Sequence, residues 1–159
     1  MKSINEKGFT LVELMIILVI IGILGALAVP NMNNLLSKNK LRASTTSVTS
    51  SLYLARMNAI NKGEPYGVEF FEDGSYHILK DPYGTSEVSG NPYNLDDEVF
   101  FEDITFVDWL AVFNEYGQLH KNCLPAGEST GLVKISDGAA DSTMVEVTFI
   151  SGRIRETNR

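Results

Sequence analysis

The order of apolar and polar positions divides the chain into three parts, and the first is a long apolar run. Residues 14–29 read LMIILVIIGILGALAV, without a charged or polar side chain. As an α-helix they extend about 24 Å, and extension back to Phe9 gives about 31 Å, enough to cross a bilayer core of about 30 Å. The extension includes Glu13, which costs roughly 2.5–3.5 kcal/mol on insertion unless it is paired. Residues 9–30 are predicted to be a transmembrane helix.

An amphipathic helix is predicted over residues 31–62, the second part. Six positions at spacings of three and four share one face, which should pack on the rest of the protein. They are Leu41, Thr45, Val48, Leu52, Ala55 and Ala59. The serine- and threonine-rich run Ser44–Ser51 falls mostly off this stripe. Pro30 has no N–H to donate, so a kink or locally unwound stretch is predicted there, and Gly63-Glu64-Pro65 is predicted to end the helix.

Residues 63–159 are predicted to form a β-rich globular head. Tyr66–Phe71 and Ser75–Lys80 surround Glu72-Asp73-Gly74 and predict a hairpin. Asp81–Glu98 holds three glycine or proline pairs and predicts a loop. Further strands are predicted at Val99–Phe106, Asp108–Phe113, Leu132–Ile135 and Met144–Ile150. The fold class is therefore α+β, with one long N-terminal helix packed on an antiparallel β-sheet head.

Composition adds a charge asymmetry to this division. The chain has 159 residues, of which 44% are hydrophobic and 21% are charged, so it is neither disordered nor a polytopic membrane protein. Residues 14–63 contain five basic and no acidic residues, whereas residues 64–159 contain eighteen acidic and six basic residues, a net charge of −12. An acidic chain of this kind is not a general nucleic-acid binder. The basic residues of the second helix form either a solvated face or a face that meets acidic heads of neighbouring subunits.

The sequence has no recognisable catalytic or metal-binding motif. His77, His120 and Cys123 lack metal-ligand spacing, and a single cysteine cannot form an intrachain disulfide. We expect His77 to be packed or half-exposed and Cys123 to be a small buried residue. The acidic clusters Asp96–Glu98 and Glu102-Asp103 lack the spacing of a calcium loop and are expected to be solvated. We predict no enzymatic activity, no metal and no cofactor.

The N-terminus permits three interpretations. A basic start, an apolar core and Ala26-Leu27-Ala28 are arranged as in a secretory signal peptide that is cut after the core. The second interpretation is an uncut signal anchor, whose orientation Lys2 and Lys7 determine. Neither explains why Glu13 adjoins the apolar run. The third follows from residues 7–14, KGFTLVEL, which resemble the class III signal of type IV pilins and type II secretion pseudopilins.

This resemblance implies a defined processing pathway. A prepilin peptidase would cut between Gly8 and Phe9, so that removal of residues 1–8 from 159 leaves 151. The new amino group of Phe9 would then be methylated, and the apolar helix would be retained. In a helix Phe9 and Glu13 share a face, so the amine could neutralise Glu13 of its own chain or of a neighbour. The resemblance implies the intermolecular pairing, which makes Glu13 an assembly residue.

The resemblance also bears on Pro30. In the family, a proline at this place lies where the stem loosens inside filaments.

The head resembles the GspH/FimT group of minor pilins and pseudopilins. The resemblance rests on Leu54–Ile60, on the turn Phe113–Gly117 and on Gly152-Arg153-Ile154-Arg155. It implies a single-pass subunit of the bacterial inner membrane, with its head on the periplasmic or extracellular side. Other pilin or pseudopilin subunits and the prepilin peptidase/methyltransferase are its implied partners. Major pilins usually carry a C-terminal disulfide loop, so the single cysteine favours a minor role in a pilus, a secretion pseudopilus or a competence filament.

The C-terminal segment raises a rival function. In a strand, Arg153 and Arg155 point to one side about 6.6 Å apart, close to the spacing of successive phosphates on an extended nucleic-acid strand. Some competence-associated FimT-like minor pilins bind DNA through a Gly-Arg-x-Arg motif, which this segment matches. Together with Arg159 these residues could neutralise about three phosphates. The opposing interpretation is that they pair with carboxylates of the acidic head.

Overall fold

One long helix precedes all of the strands. The computed structural model describes residues 8–138 and 142–158, with the side chains of all of these except 26–34 and Asn158. The chain divides into two compact units, Met1–Leu36 and Ser37–Arg159. The helix, α1, runs from Leu11 to Lys62 and contributes residues to both. It ends where the sequence predicts, because Gly63 adopts a φ of 65° and donates its N–H to the Ala59 carbonyl.

The predicted apolar stripe is the buried face of α1. Every one of its members is between 0% and 5% exposed: Leu41, Thr45, Val48, Leu52, Ala55 and Ala59. The serine and threonine run is predicted to lie mostly off this stripe, and two of its members outside the stripe, Ser44 and Ser51, are buried as well. The Ser44 hydroxyl donates to the Asp96 carboxylate at 3.2 Å and accepts from the Asp96 N–H at 3.0 Å. These two bonds explain why a polar side chain is tolerated there.

Nine strands follow within the described residues, and all of their pairings are antiparallel. They are β1 (Tyr66–Phe70), β2 (Ser75–Lys80), β3 (Glu87–Val88), β4 (Tyr93–Asn94), β5 (Phe100–Ile104), β6 (Leu110–Phe113), β7 (Thr130–Ser136), β8 (Ser142–Thr148) and β9 (Ile154–Asn158). One sheet has the order β3-β2-β1-β6, with β4 also paired to β2, and the other has the order β5-β7-β8-β9. The predicted α+β fold, a long helix packed on an antiparallel head, is confirmed.

The predicted hairpin is formed by β1 and β2. Tyr66 lies opposite Lys80 and Phe70 lies opposite Tyr76. The connection requires Gly74, whose φ of 83° is accessible to glycine at little cost. The predicted loop 81–98 follows and carries the two-residue strands β3 and β4. Its end is fastened to α1 by the Ser44–Asp96 bonds and by an ion pair of 2.9 Å between Lys40 and Glu98.

Alternating side chains of the second sheet complete the core. Val133 and Ile135 of β7 and Val145 and Val147 of β8 are fully buried, while the residues between them are partly exposed. This is the period-two burial expected of strands with one covered face. The alternation that predicts β8 from the sequence is therefore confirmed.

Candidate functional site

The first turn of α1 contains a capping box formed by Thr10 and Glu13. The Glu13 N–H donates to the Thr10 hydroxyl oxygen at 3.2 Å. In return, the Glu13 carboxylate accepts hydrogen bonds from the Thr10 N–H at 3.0 Å and from its hydroxyl at 3.1 Å. Such reciprocal bonds satisfy N–H groups that have no partner within the helix, and they stabilise its start. The helix therefore begins at Leu11, and Phe9, which the sequence places in the predicted helix 9–30, lies outside it.

This arrangement gives Glu13 a role that sequence reasoning missed. The Thr-x-x-Glu spacing in KGFTLVEL is the signal for this role, whereas the prediction from the sequence treats Glu13 only as a partner of the Phe9 amine. Both carboxylate bonds use Oε2, and within the described residues no hydrogen bond reaches Oε1. The Oε1 atom can therefore accept a second partner while the capping box stays intact. Phe9 is 77% exposed, so its main-chain nitrogen, next to the Gly8 carbonyl, is accessible.

The apolar side chains of α1 in the unit Met1–Leu36 are exposed wherever they are described. From Leu11 to Leu24 their exposed fractions lie between 45% and 76%. Among the described residues, no helix combines the length and the apolar character needed to span a membrane. The predicted span 9–30 includes side chains 26–30, which lie outside the described part. The backbone of α1 is helical through Pro30, and the kink stays a prediction.

Three segments singled out in the sequence meet at Arg56, within the unit Ser37–Arg159. The Arg56 Nε donates to the carbonyl oxygen of Gly117 at 2.8 Å, and its Nη2 donates to that of Ser151 at 3.0 Å. Gly117 lies in the turn after β6, and Ser151 lies between β8 and β9. One guanidinium thus joins α1 to turns that follow strands of both sheets. We call Arg56, Gly117, Ser151 and Gly152 the Arg56 clamp.

The two glycines of the Arg56 clamp are required by conformation and by space. Gly117 and Gly152 have φ values of 72° and 58°, which side-chain-bearing residues rarely adopt. A Cβ on Gly117 would lie 2.6 Å from the Ile60 Cδ1 atom, and a Cβ on Gly152 would overlap the Gly117 carbonyl oxygen. The glycine of the Gly152–Arg155 motif therefore has a structural role in this chain.

Arg153 and Arg155 are both exposed, and Ile154 between them is 5% exposed and packed in the core. Arg155 lies opposite Glu146 in the pairing of β9 with β8. Among the described residues, neither arginine forms an ion pair. Arg159 lies outside the described residues. The two described arginines are therefore accessible to a partner.

Two of the five basic residues of α1, Lys40 and Arg56, contact the head of the same chain. Lys40 pairs with Glu98, and that hydrogen bond raises the pKa of Lys40. Arg56 bonds to main-chain carbonyls of the same chain. The two alternatives drawn from the sequence, solvent or a neighbouring subunit, omitted this possibility. The omission arose because these pairs are separated by 58 to 95 positions, which no local pattern reveals.

The N-terminal part of the chain is similar to known proteins. Residues 4–29 match the model of the prokaryotic N-terminal methylation motif. The type IV major fimbrial protein FimA of Dichelobacter nodosus is 33% identical over 100 residues, which cover 60% of each chain. The type IV major pilin protein PilA of Myxococcus xanthus is 38% identical over 62 residues, or 39% of this chain and 28% of that protein.

Solved structures extend the likeness to the fold of the head. The minor pseudopilin EpsH from the type 2 secretion system of Vibrio cholerae has a TM-score of 0.59 at 14% identity, covering 75% of this chain and 97% of that one. The type IV minor pilin FimU of Pseudomonas aeruginosa has a TM-score of 0.56 at 11% identity, covering 76% and 90%. The chain therefore has a pilin-like fold and an N-terminal segment that matches the methylation motif. It spans about 60% of the length of FimA.

The histidines and the cysteine of this pilin-like chain have local partners. The Cys123 thiol is buried and donates to the His120 carbonyl at 2.8 Å, and burial raises its pKa. Cys123 is therefore the small buried residue that the sequence predicts. His77 is half-buried in β2 against the ring of Phe71, and the His120 ring contacts that of Tyr83.

The five carboxylates of the two acidic clusters are exposed, and three of them bind polar side chains of the same chain. Asp96 bonds with Ser44, Glu98 pairs with Lys40, and Glu102 pairs with Lys134. In the part of the chain that the structure describes, no group of three or more histidine, cysteine or carboxylate side chains could hold a metal ion.

Proposed function

We propose that the chain is a structural subunit, a minor pilin or pseudopilin of the GspH/FimT group, of a type IV pilus or a type II secretion pseudopilus. The observation that carries the proposal is a carboxylate, Glu13, in the first turn of an apolar helix that starts at Leu11, two residues after Phe9. A signal peptide or a plain anchor has no use for this charge. In a processed pilin the charge does have a use, because cleavage before Phe9 creates an amino group that is the counterion of Glu13.

Processing is the first step of the proposed pathway. A prepilin peptidase cuts between Gly8 and Phe9, and the Phe9 amine is methylated. The methylation motif matched at residues 4–29 supports this step. The peptidase also has access, since Gly8 and Phe9 are exposed and a Cβ on Gly8 would meet nothing within 4 Å.

Assembly is the second step, and it depends on the pairing of Glu13 with a Phe9 amine. Residues 9–30 hold the subunit in the inner membrane, with the head on the periplasmic or extracellular side, until it packs with other stems. Two unit charges about 4 Å apart attract by up to about 4 kcal/mol at an effective dielectric of 20, comparable with the roughly 2.5–3.5 kcal/mol that a charge costs in the bilayer. The capping box engages only one carboxylate oxygen, and so leaves the other for the amine of a neighbour.

Intact mass and filament incorporation test the two steps separately. Protein extracted from membranes should lack residues 1–8 and carry one added methyl group. A product that lacks residues 1–28, or one that retains its initiating methionine, contradicts the proposed processing. Glu13→Ala should insert normally but fail to enter filaments, whereas Glu115→Ala, which removes an exposed head carboxylate, should enter them. Normal incorporation of Glu13→Ala would refute the pairing.

DNA binding by a minor pilin of natural transformation is the second candidate. It is favoured by the exposure of Arg153 and Arg155 beside the buried Ile154. Neutralising two phosphates should give a slope near −1.8 in a log–log plot of affinity against salt. Gel shifts of the full chain in detergent should lose this slope in the double variant Arg153→Ala/Arg155→Ala and keep it in Lys121→Ala. Binding that is absent, or indifferent to both arginines, removes this candidate.

A further inference from the structure

One residue, Thr10, connects the Gly8–Phe9 peptide to the helix. Its carbonyl oxygen accepts a hydrogen bond from the Leu14 N–H at 3.2 Å, while its N–H and hydroxyl form the capping box with Glu13. The helix itself begins at Leu11. Thr10 is therefore the N-cap residue, and its hydroxyl oxygen, as the acceptor of the Glu13 N–H, holds the helix start in place.

The peptide before Thr10 is accessible in the folded chain. Gly8 and Phe9 are exposed, and a Cβ on Gly8 would meet nothing within 4 Å. Fraying of the helix start would therefore give a protease no access that it lacks already. It would instead remove the fixed conformation of Thr10 and of the first turn of α1, which the capping box maintains.

Order on the carboxyl side of this peptide matters for an enzyme that cuts it. An extended peptide pairs its main chain with the protein that binds it over several residues, so residues after the cut are held as well as those before it. Each residue that becomes ordered only on binding costs backbone entropy, whereas a segment that is already ordered binds without this cost. The capping box thus orders residues 10–13 before the enzyme arrives.

We propose that Thr10 is a positioning residue for the cleavage between Gly8 and Phe9. Its N-cap bond orders the chain on the carboxyl side of the cut, so that the prepilin peptidase binds this segment at a lower entropic cost. The hydrolysis consumes one water molecule, breaks the C–N bond of the Gly8–Phe9 peptide, and leaves a carboxylate on Gly8 and an amino group on Phe9. This role of Thr10 rests on the processing step proposed above and adds a determinant outside the cut peptide.

The charge of Glu13 is not required for this role. Glutamine serves in a capping box as glutamate does, so Glu13→Gln keeps the reciprocal bonds with Thr10 and removes only the charge. Conversely, Thr10→Val keeps the shape of the side chain and the charge of Glu13 but removes the hydroxyl that accepts from the Glu13 N–H. The two variants therefore separate the cap from the charge.

Cleavage of the purified full chain in detergent micelles by a purified prepilin peptidase tests this role. Formation of the product, residues 9–159, is followed by intact mass. Loss of an N-cap bond changes a folding equilibrium by about 2- to 30-fold. Thr10→Val should therefore raise the KM by about 2- to 30-fold with little change in kcat, because the ordering cost falls on binding. Thr10→Ser and Glu13→Gln should keep the wild-type KM.

A proline at position 11 distinguishes order from a direct contact between the enzyme and the Thr10 hydroxyl. Proline at the first helical position fixes a helix start by itself, so Thr10→Val should lose most of its effect on the KM in a Leu11→Pro background. An unchanged or lower KM in Thr10→Val, or the same increase in both backgrounds, would overturn the role of Thr10 and leave the processing step intact. No cleavage of the wild-type chain at Gly8–Phe9 would reject the processing step, and the role of Thr10 with it.

Discussion

Replacing Gly152 with alanine should destabilise the head more than the addition of a single methyl group would suggest. At a φ of 58° a side-chain-bearing residue costs about 1–2 kcal/mol. In addition, the new Cβ would overlap the Gly117 carbonyl oxygen and lie 2.9 Å from the Arg56 Nε atom. Relief of that overlap moves one of the two carbonyls that accept from Arg56, and each hydrogen bond lost from a charged donor costs about 1.5–3 kcal/mol. We expect a total of about 3–5 kcal/mol.

A matched control separates the conformational cost from the steric one. Gly63 has nearly the same φ, 65°, but a Cβ there would meet nothing within 4 Å. Gly63→Ala should therefore cost only about 1–2 kcal/mol. Chemical denaturation of the full chain in detergent, followed by circular dichroism of the head, measures both values. Equal losses of unfolding free energy in Gly152→Ala and Gly63→Ala would show that the close approach to Gly117 is unimportant.

Three further outcomes follow from single side chains. Thr10→Ala should weaken the start of α1 by about 0.5–2 kcal/mol, read as faster amide exchange in its first turn, while Thr10→Ser should restore protection. Leu52→Ala should cost about 2–5 kcal/mol because Leu52 is 0% exposed, and Leu54→Ala, at 45% exposed, should cost far less in the same denaturation assay. Burial raises the pKa of Tyr83 to about 12. Because this exceeds the unfolded value of about 10, the contribution of Tyr83 to stability is complete below pH 10 and is lost as the pH rises towards 12. Denaturation at pH 9 and pH 11 should show this loss, reduced by the half exposure of the ring. Tyr83→Phe should make the loss smaller, while the share of other groups with raised pKa values, such as Cys123 and Lys40, remains.

Periodicity predicted those parts of the fold that depend on neighbouring residues. The stripe from Leu41 to Ala59 follows from the helical repeat, and the hairpin β1–β2 follows from a turn sequence with glycine at the required position. Both features are local, so a single sequence contains the information that determines them. The capping box is equally local. Its Thr-x-x-Glu spacing is present in the sequence, although the prediction for Glu13 rests only on the charge of its carboxylate.

Contacts between distant segments could not be predicted in this way. Arg56 bonds to carbonyls 61 and 95 positions away. Because every residue has a main-chain carbonyl, the amino-acid sequence does not show which residues accept these bonds. The two glycines that make room for the clamp were visible only as turn residues. Long-range pairing also decides how the strands divide between two sheets, because antiparallel neighbours such as β1 and β6 are more than forty residues apart.

The anchoring of residues 81–98 at both sides has a practical consequence for labelling. The Ser89 N–H bonds to Ile78, and the Asp96 N–H bonds to Ser44, whereas Gly90, Asn91 and Pro92 between them are exposed. An exposed bend with small or polar residues is a site at which inserted sequence is usually tolerated. A fluorophore-binding tag placed between Gly90 and Asn91 would leave the Gly8–Phe9 peptide and the C-terminal arginines untouched, so the protein could be followed in living cells.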